Sequence, residues 1–569
     1  MAPLTLLLAC SASVPPDTGS PEPRPSEERP TGPDSGDSGD SGDSGDTGGD
    51  CEDPPGEPGD PLASVGDCGR LVYGPYANRD DDRPVNRLPD FSHAGYEGGG
   101  VRLPEVPVVL TIGPEPGDDC DLIQGALDEV SARPMNQDGF RGAVLLEPGT
   151  YGCSRSLTIR ASGVVLRGSG QGRNGTLLRA TGKYDYALLE LYGERGPEVD
   201  GAITPIDEDL LPVGATGFRV EDSSDFSPGD AVVVRRTPNQ RWVKDLGMEA
   251  YWEADSYEIA HERRLVEVDH AASTVTVDIP LVDALDARHG GGRLEHVDSG
   301  ERIHHVGVEH IRLVSVHDET DSDDEDHAWT GIRLTDVEDG WVRGVTTEFF
   351  ASEAVSIDGA SRFITVEDVA MLDPVSKITG GRRYAFEVNQ GLGVLFQRCY
   401  ARGGRHNFVA GSRVTGPNVW LDCLAEDSHS DDGPHHRWAT GLLFDNTNSA
   451  RLRVQNRADS GSGHGWAGAS VLFWNALATW EFVSDAPPGA MNWAVGVKGD
   501  EGDGQWVPGE PPGLQESLGA NVSPRSLYLQ QLRDRLGPEA VVAVTLPAQR
   551  EGTVWDALSD WAGEGVFAP

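Results

Sequence analysis

Between Asp431 and Trp438 the chain reads Asp-Asp-Gly-Pro-His-His-Arg-Trp, placing two carboxylates, two imidazoles, a guanidinium and an indole within eight residues. Arg402-Gly-Gly-Arg405-His406-Asn407 lies shortly before it, and Lys377 to Tyr384 (Lys-Ile-Thr-Gly-Gly-Arg-Arg-Tyr) comes earlier still. These residue types suit removal of a proton next to a sugar carboxylate. Arg405, Arg437 and Arg382 can pair bidentately with the carboxylate and make the neighbouring C–H acidic. His406, His435 or His436 can take the proton near neutral pH, with Lys377 or Tyr384 as alternatives. His435 or His436 is the expected base, with Arg437 and Arg405 on the carboxylate. Hydrolysis would need two carboxylates instead, and Asp431, Asp432, Asp324, Glu325 and Asp326 supply that option. Asp431 and Asp432 could equally hold Ca²⁺. Zinc is not expected, because the His435–His436 pair has no third ligand at a familiar spacing, although His406 and Asp431 could converge on it.

A repeat must bring these segments together. Ile332, Val355, Phe386, Phe408, Leu442 and Val471 stand at comparable strand positions, spaced 23, 31, 22, 34 and 29 residues apart. A base period of 22–23 is that of a solenoid coil. The excess length falls before the strand in each long coil, so the insertions are expected to stack along one corner. They carry His327 and Trp329, then Lys377, Arg382, Arg383 and Tyr384, then Arg402, Arg405, His406 and Asn407. Asp431 to Trp438 follows, and His464 and Trp466 come last. The non-catalytic members, including Trp438, are expected to line a binding groove. Residues 373–440 hold eight Lys or Arg against seven Asp or Glu, a net +1 in a chain of −47. A locally basic groove on an acidic protein suits an acidic glycan; the alternative is that these arginines form ion pairs steadying long loops.

Upstream, Gly117-Asp-Asp-Cys-Asp-Leu-Ile-Gln opens an amphipathic helix with Ile123, Ala126, Leu127 and Val130 at helical spacing. Short apolar strands follow at Gly142–Leu146, Ser156–Ile159 and Gly163–Arg167, punctuated by Pro-Gly and Gly. This run resembles the opening of pectate-lyase-superfamily proteins and phage tailspikes. The resemblance implies a right-handed parallel β-helix capped by the helix, with the polysaccharide groove along the decorated corner. It covers about residues 85–540 and specifies fold far better than chemistry. It implies a polysaccharide lyase acting on a uronic-acid glycan; a glycoside hydrolase and a non-catalytic glycan-binding adhesin are the alternatives.

The remaining organisation follows from composition. Residues 1–10 end in Leu-Leu-Ala-Cys, which resembles a bacterial lipoprotein signal with Cys10 lipidated, so membrane attachment would run through that anchor alone. Residues 11–65 are a Pro/Gly/Ser/Asp tether, carrying −12 over residues 11–60, too polar to order. Residues 66–207 hold the lead-in, cap and first coils, and 208–296 read as a β-rich insert whose aromatics (Trp242, Trp252, Tyr257) either pack locally or touch a glycan. Residues 297–500 are the main coils. Residues 501–569 form a tail with one helix near Ser523–Gly537, expected to pack on the solenoid or cap its end. Setting Cys10 aside, six cysteines fit three disulfides, and neighbour pairing gives 51–68, 120–153 and 399–423. The acidic surface disfavours nucleic acid.

Overall fold

A computed structural model describes residues 51–569; Cys10 and most of the tether lie outside the described residues. The body is a right-handed parallel β-helix. Two of its faces are continuous with each other. Strands Ile303–Ser315, Val337–Glu348 and Arg362–Leu372 run through both and bend between them at left-handed residues His310, Gly344 and Asp368. Later coils turn the same corner at Arg398, Asp422, Asn446 and Asn475, a conformation that Asp and Asn tolerate best among residues with a Cβ.

The third face is a seven-stranded parallel sheet. Its strands are β1 (Leu157–Ile159), β2 (Ala187–Tyr192), β3 (Thr330–Thr335), β4 (Val355–Asp358), β5 (Tyr384–Val388), β6 (His406–Ala410) and β7 (Gly433–Pro434). Ile332, Val355, Phe386 and Phe408 stack in register there, as the period predicts, and all four are fully buried. The ladder then breaks. Leu442 and Val471 pair with each other one face further round the coil, and Leu442 pairs back to Asn418. The cause is β7, only two residues long: the third face stops there, while the other two continue through Leu514–Glu516. His435 to Trp438 therefore follow a strand of this face instead of preceding one.

The N-terminal end is capped by α1 (Cys120–Ser131), whose Ile123, Ala126, Leu127 and Val130 join the main core. Cys120 and Cys153 form a disulfide at its start, and Cys51 and Cys68 are also disulfide-bonded. Cys399 and Cys423 are not. Both are buried thiols on consecutive coils, each within weak hydrogen-bonding reach of carbonyls of their own and the preceding coil. The stacking that aligns them leaves a thiol ladder.

The insert is wider than its sequence pattern suggests, running from strand Val199–Pro205 to strand Gly292–Val297 in a six-stranded antiparallel sheet. Its helix α2 (Gln240–Asp245), capped by the Asn239 side chain, carries Trp242 onto the solenoid. Ordered structure also begins earlier than the polar composition predicts: Leu62 and Ala63 are buried, and Leu62 N–H donates to Glu516 across 2.9 Å. The tail forms α3 (Leu527–Leu536), with Ser526 as N-cap, and three further short helices, two beginning at Pro538 and Pro547. It docks along the flank on the corner residues: Arg525 pairs with Asp422 at 2.8 Å, and Gln549 bridges Arg398 and Asp422. Among the described residues no helix is long and apolar enough to cross a membrane.

Phe408→Ala should cost about 3–5 kcal/mol, because Phe408 is stacked on Phe386 with ring centres 5.9 Å apart and cannot be replaced by solvent. Chemical unfolding monitored by circular dichroism gives the value; a cost below 1 kcal/mol would contradict this packing.

Candidate functional site

The corner where the seven-stranded sheet ends gathers polar groups from four consecutive coils. Tyr384 opens β5 and His406 opens β6; they are register partners, and their rings meet edge to face with centres 5.0 Å apart. His435 follows β7, held by its N–H to Ala410 O, and its ring lies 4.8 Å from His406 and 5.3 Å from Tyr384. His436 and His464 extend the cluster, 4.9 Å apart, with His464 also 5.2 Å from His435. Arg405 Nη2 donates to Tyr384 Oη across 2.9 Å, and His435 Nε2 lies 3.1 Å from the same oxygen. Arg457, which the loop pattern in the sequence does not single out, donates from Nη1 to His435 Nδ1 at 3.0 Å and to the His435 carbonyl.

The last contact fixes a tautomer. A guanidinium only donates, so His435 Nδ1 must accept, and the proton of the neutral ring sits on Nε2. His435 therefore donates to Tyr384 Oη, as Arg405 does. The two donors favour the anion, but burial outweighs them, so the resting phenol keeps its proton, which must point elsewhere. His435 is a hydrogen-bond donor in this arrangement, and Tyr384 Oη is the atom on which it and Arg405 converge.

Electrostatics agree. Burial, then His406 and Arg457, push His435 far below the ordinary imidazole value. Burial likewise brings His406 and His464 to about 4, and burial with His464 brings His436 to about 3. The imidazoles are thus neutral at physiological pH. Burial raises Tyr384 to about 12, against the lowering effect of Arg405. Asp431, although buried, is held below the carboxylate range by His406, Arg457 and Arg453. Several buried polar atoms here have no protein partner: His406 Nε2, His436 Nδ1, His464 Nδ1, Asn407 Oδ1 and Arg457 Nε.

The other residues singled out from sequence separate into different duties. Arg437 donates to Ser462 at 2.6 and 2.8 Å, tying the histidine loop to the next coil. Asn407 donates to Ser428. Asp432 faces inward, accepting from Ser449, Phe408 N–H and Asn407 N–H, and burial raises it to about 7. Trp438 and Trp466 are fully buried beneath the insert beside Trp242 and Trp252, so neither presents a face to a sugar. His327 is also fully buried, bonded to Ser315 and the Val375 carbonyl. Lys377 and Arg382 both pair with Glu325, and Arg382 also covers Trp329. Arg383 is buried against Ser376, while Arg402 pairs with Asp373 away from the cluster. Ion pairing thus accounts for several of these basic residues, leaving Arg405, Arg437 and Arg457 at the histidines. Among the described residues, donor atoms close enough to share a metal occur only at Asp118, Cys120 and Cys153, two of which form the disulfide.

Beside the cluster, the outward row of the sheet runs Glu190, Arg333, Ser356, Glu387 in register across β2 to β5. Glu353 accepts from Thr330 Oγ1 at 2.6 Å, and Asp358 accepts from Ser356 and Asn389. Burial, then Glu353 and Asp358, push Glu387 well above the usual carboxylate range, and burial raises Glu353. Glu387 is three residues from Tyr384 on one strand, about 10 Å away. Sequence reading missed these acids because a single Glu in each short strand looks like ordinary solvent-facing alternation.

No family model matches the chain, and no curated protein does. Among solved structures, the tailspike of Pseudomonas phage phi297 is 13% identical over 66% of this chain and 71% of its own, with a TM-score of 0.32. The polygalacturonase of Erwinia carotovora is 10% identical over 70% and 95%, with a TM-score of 0.33. A thermostable α-1,3-glucanase of Streptomyces thermodiastaticus is 10% identical over 80% and 71%, with a TM-score of 0.32. Likenesses this distant say nothing of the site's chemistry.

Imidazoles held below 6.5 in the folded state leave the unfolded chain to bind protons first. Their contribution to stability is full above about pH 6.5 and is lost as pH falls toward 4. The stability of the natural protein relative to His464→Gln should therefore decline between pH 7 and 4.5 in thermal melts; a pH-independent difference would contradict the burial of this ring.

Proposed function

We propose that the protein is a polysaccharide lyase that cleaves an acidic glycan by β-elimination, with Tyr384 exchanging the protons. The observation that carries the reading is the tyrosine oxygen flanked by two donors, Arg405 at 2.9 Å and His435 at 3.1 Å. Arg405 has further N–H groups with which to neutralise the substrate carboxylate, acidifying C5–H. The Tyr384 phenolate takes the C5 proton, the electron pair becomes the C4–C5 double bond, and the C4–O bond breaks. The leaving oxygen takes the proton back from Tyr384, so the residue ends as it began. His435 and Arg457 act on the tyrosine through hydrogen bonds. Arg437 ties down the histidine loop.

The reactive form is the phenolate, so kcat/KM should rise from pH 7 toward pH 10, the tyrosine value lying near 12. Tyr384→Phe should lower turnover about 10²–10⁴-fold. Both are measured by ultraviolet absorbance of unsaturated ends on the alginate, hyaluronan, chondroitin, pectate or ulvan sample that gives a signal. A fully active Tyr384→Phe variant would remove this assignment.

Glu387 favours a second reading, hydrolysis on the same face. A carboxyl whose proton is held more tightly than usual by burial and by Glu353 and Asp358 is a candidate general acid, with Asp358 as the partner carboxylate. Reducing ends without ultraviolet absorbance, lost in Glu387→Gln and kept in Tyr384→Phe, would select it. The neighbouring acids suit substrates whose charge lies toward Arg405 and Arg457. If export and anchoring follow the sequence, the enzyme works at the cell surface on external glycan.

A further inference from the structure

The outward row of the seven-stranded sheet changes character abruptly at one strand. Glu190, Arg333 and Glu387 are only half-buried, but Val409, the register partner of Glu387 on β6, has no exposed surface although it points outward. The open face therefore ends within one strand spacing of Glu387, about 5 Å.

What lies beyond is a wall built from separate stretches of chain. Past β7 the third face is replaced by the segment from Gln455 to Ala467. The insert lies on top of it: Trp252 Nε1 donates to Gly463 O at 3.0 Å, and Trp466 Nε1 donates to Leu246 O at 3.1 Å. Gly465, at φ 57°, permits this approach; a Cβ there would lie 2.6 Å from Met248 Sδ. Arg413 adds a bond from the next turn to Ser256 O at 2.6 Å. From the other side Trp506 stacks on Arg457, with the guanidinium carbon 4.4 Å from the ring centre, and Gln505 N–H is held by Gln455.

Toward β1 the same row carries half-exposed polar side chains. A glycan lying across the strands can thus extend from Tyr384 in one direction only. At the closed end, the half-buried rings of His436 and His464 lie 4.9 Å apart, and Arg437 donates to Ser462 beside them. A chain terminus carries a free hydroxyl where an internal residue carries a glycosidic bond, so it can end against this wall, which a continuous polymer would have to cross.

We propose that the groove is blind, that the His436–His464 end receives a chain terminus, and that the protein acts on its glycan from that terminus, releasing one short product. This rests on the face being a glycan-binding groove, the premise of the reading above, but it does not depend on the reaction being an elimination.

The test uses Tyr384→Phe, shown to be folded by circular dichroism, titrated with size-fractionated samples of each polysaccharide in the panel. A blind groove binds one protein per recognised terminus, so molar stoichiometry stays constant while chain length rises tenfold. Stoichiometry that grows with length overturns the proposal even if cleavage is real. The active protein gives the second readout: one short product from the first minutes with little fall in viscosity is expected, and an early collapse in viscosity overturns it. End-binding without cleavage would leave the blind groove standing and sink the lyase reading. No binding by any sample sinks both.

Discussion

Parallel stacking in strict register, one coil on the next at about 4.8 Å, constrains everything else in this molecule. It lets short polar segments carry chemistry, because a side chain's position around the coil and along the axis is set by its neighbours' ladder. Tyr384 meets His406 because Phe386 sits on Phe408 two residues further along. The same constraint explains why the polar cluster sits where it does. A ladder that continued past Pro434 would go on pairing strand to strand. Where the third face runs out, the coil must spend its residues on loops, and His435, Arg457 and His464 are drawn together over the last strand.

The insert belongs to the same logic. A face that loses its strands loses the partner for its outer surface, and the buried indoles of Trp438 and Trp466 need cover. The insert supplies it with Trp242, Trp252 and Tyr257. An accessory domain with its own core thus covers the end of the third face while leaving the polar cluster to the coils.

Much of the architecture was legible in the sequence, because apolar alternation, the Gly and Pro-Gly turns and a period near 23 follow from local geometry. So was the gathering of polar side chains between residues 384 and 464. What could not be read was where each repeat lay on the circumference. Leu442 and Leu443 look like any other strand core, and nothing local says that β7 has shrunk to two residues. That single irregularity put Trp438, expected either to pack on a sugar face or to support its loop, into the interface with the insert. It also hid Arg457, which lies outside the stretches preceding counted strands. The distinction between His435 as base and His435 as donor to Tyr384 depends on that missed arginine, so it had no trace in the spacing. The buried thiols of Cys399 and Cys423 teach a similar lesson: an even cysteine count permits disulfides without requiring them.

The lead-in and the tail give the molecule a property that stacked repeats by themselves lack. A bare solenoid is held only by neighbouring coils, so its ends can fray independently and its melting can spread piecemeal. Here Leu62 bonds to Glu516, 454 residues away, while Arg312 of an early coil bonds to Gly563 of the tail. Tyr76 packs against Trp493, and Tyr528 donates to Ala94 O. Two strands of irregular chain therefore bind the last coils to the first along the outside, like the cords of a book sewn through every gathering. Loosening one coil strains the cords that cross it, which turns a one-dimensional stack into a body that opens as a unit. Translation imposes an order as well. The lead-in leaves the ribosome before the coils it rests upon exist, so this binding can be drawn tight only once the chain through Gly563 has been made.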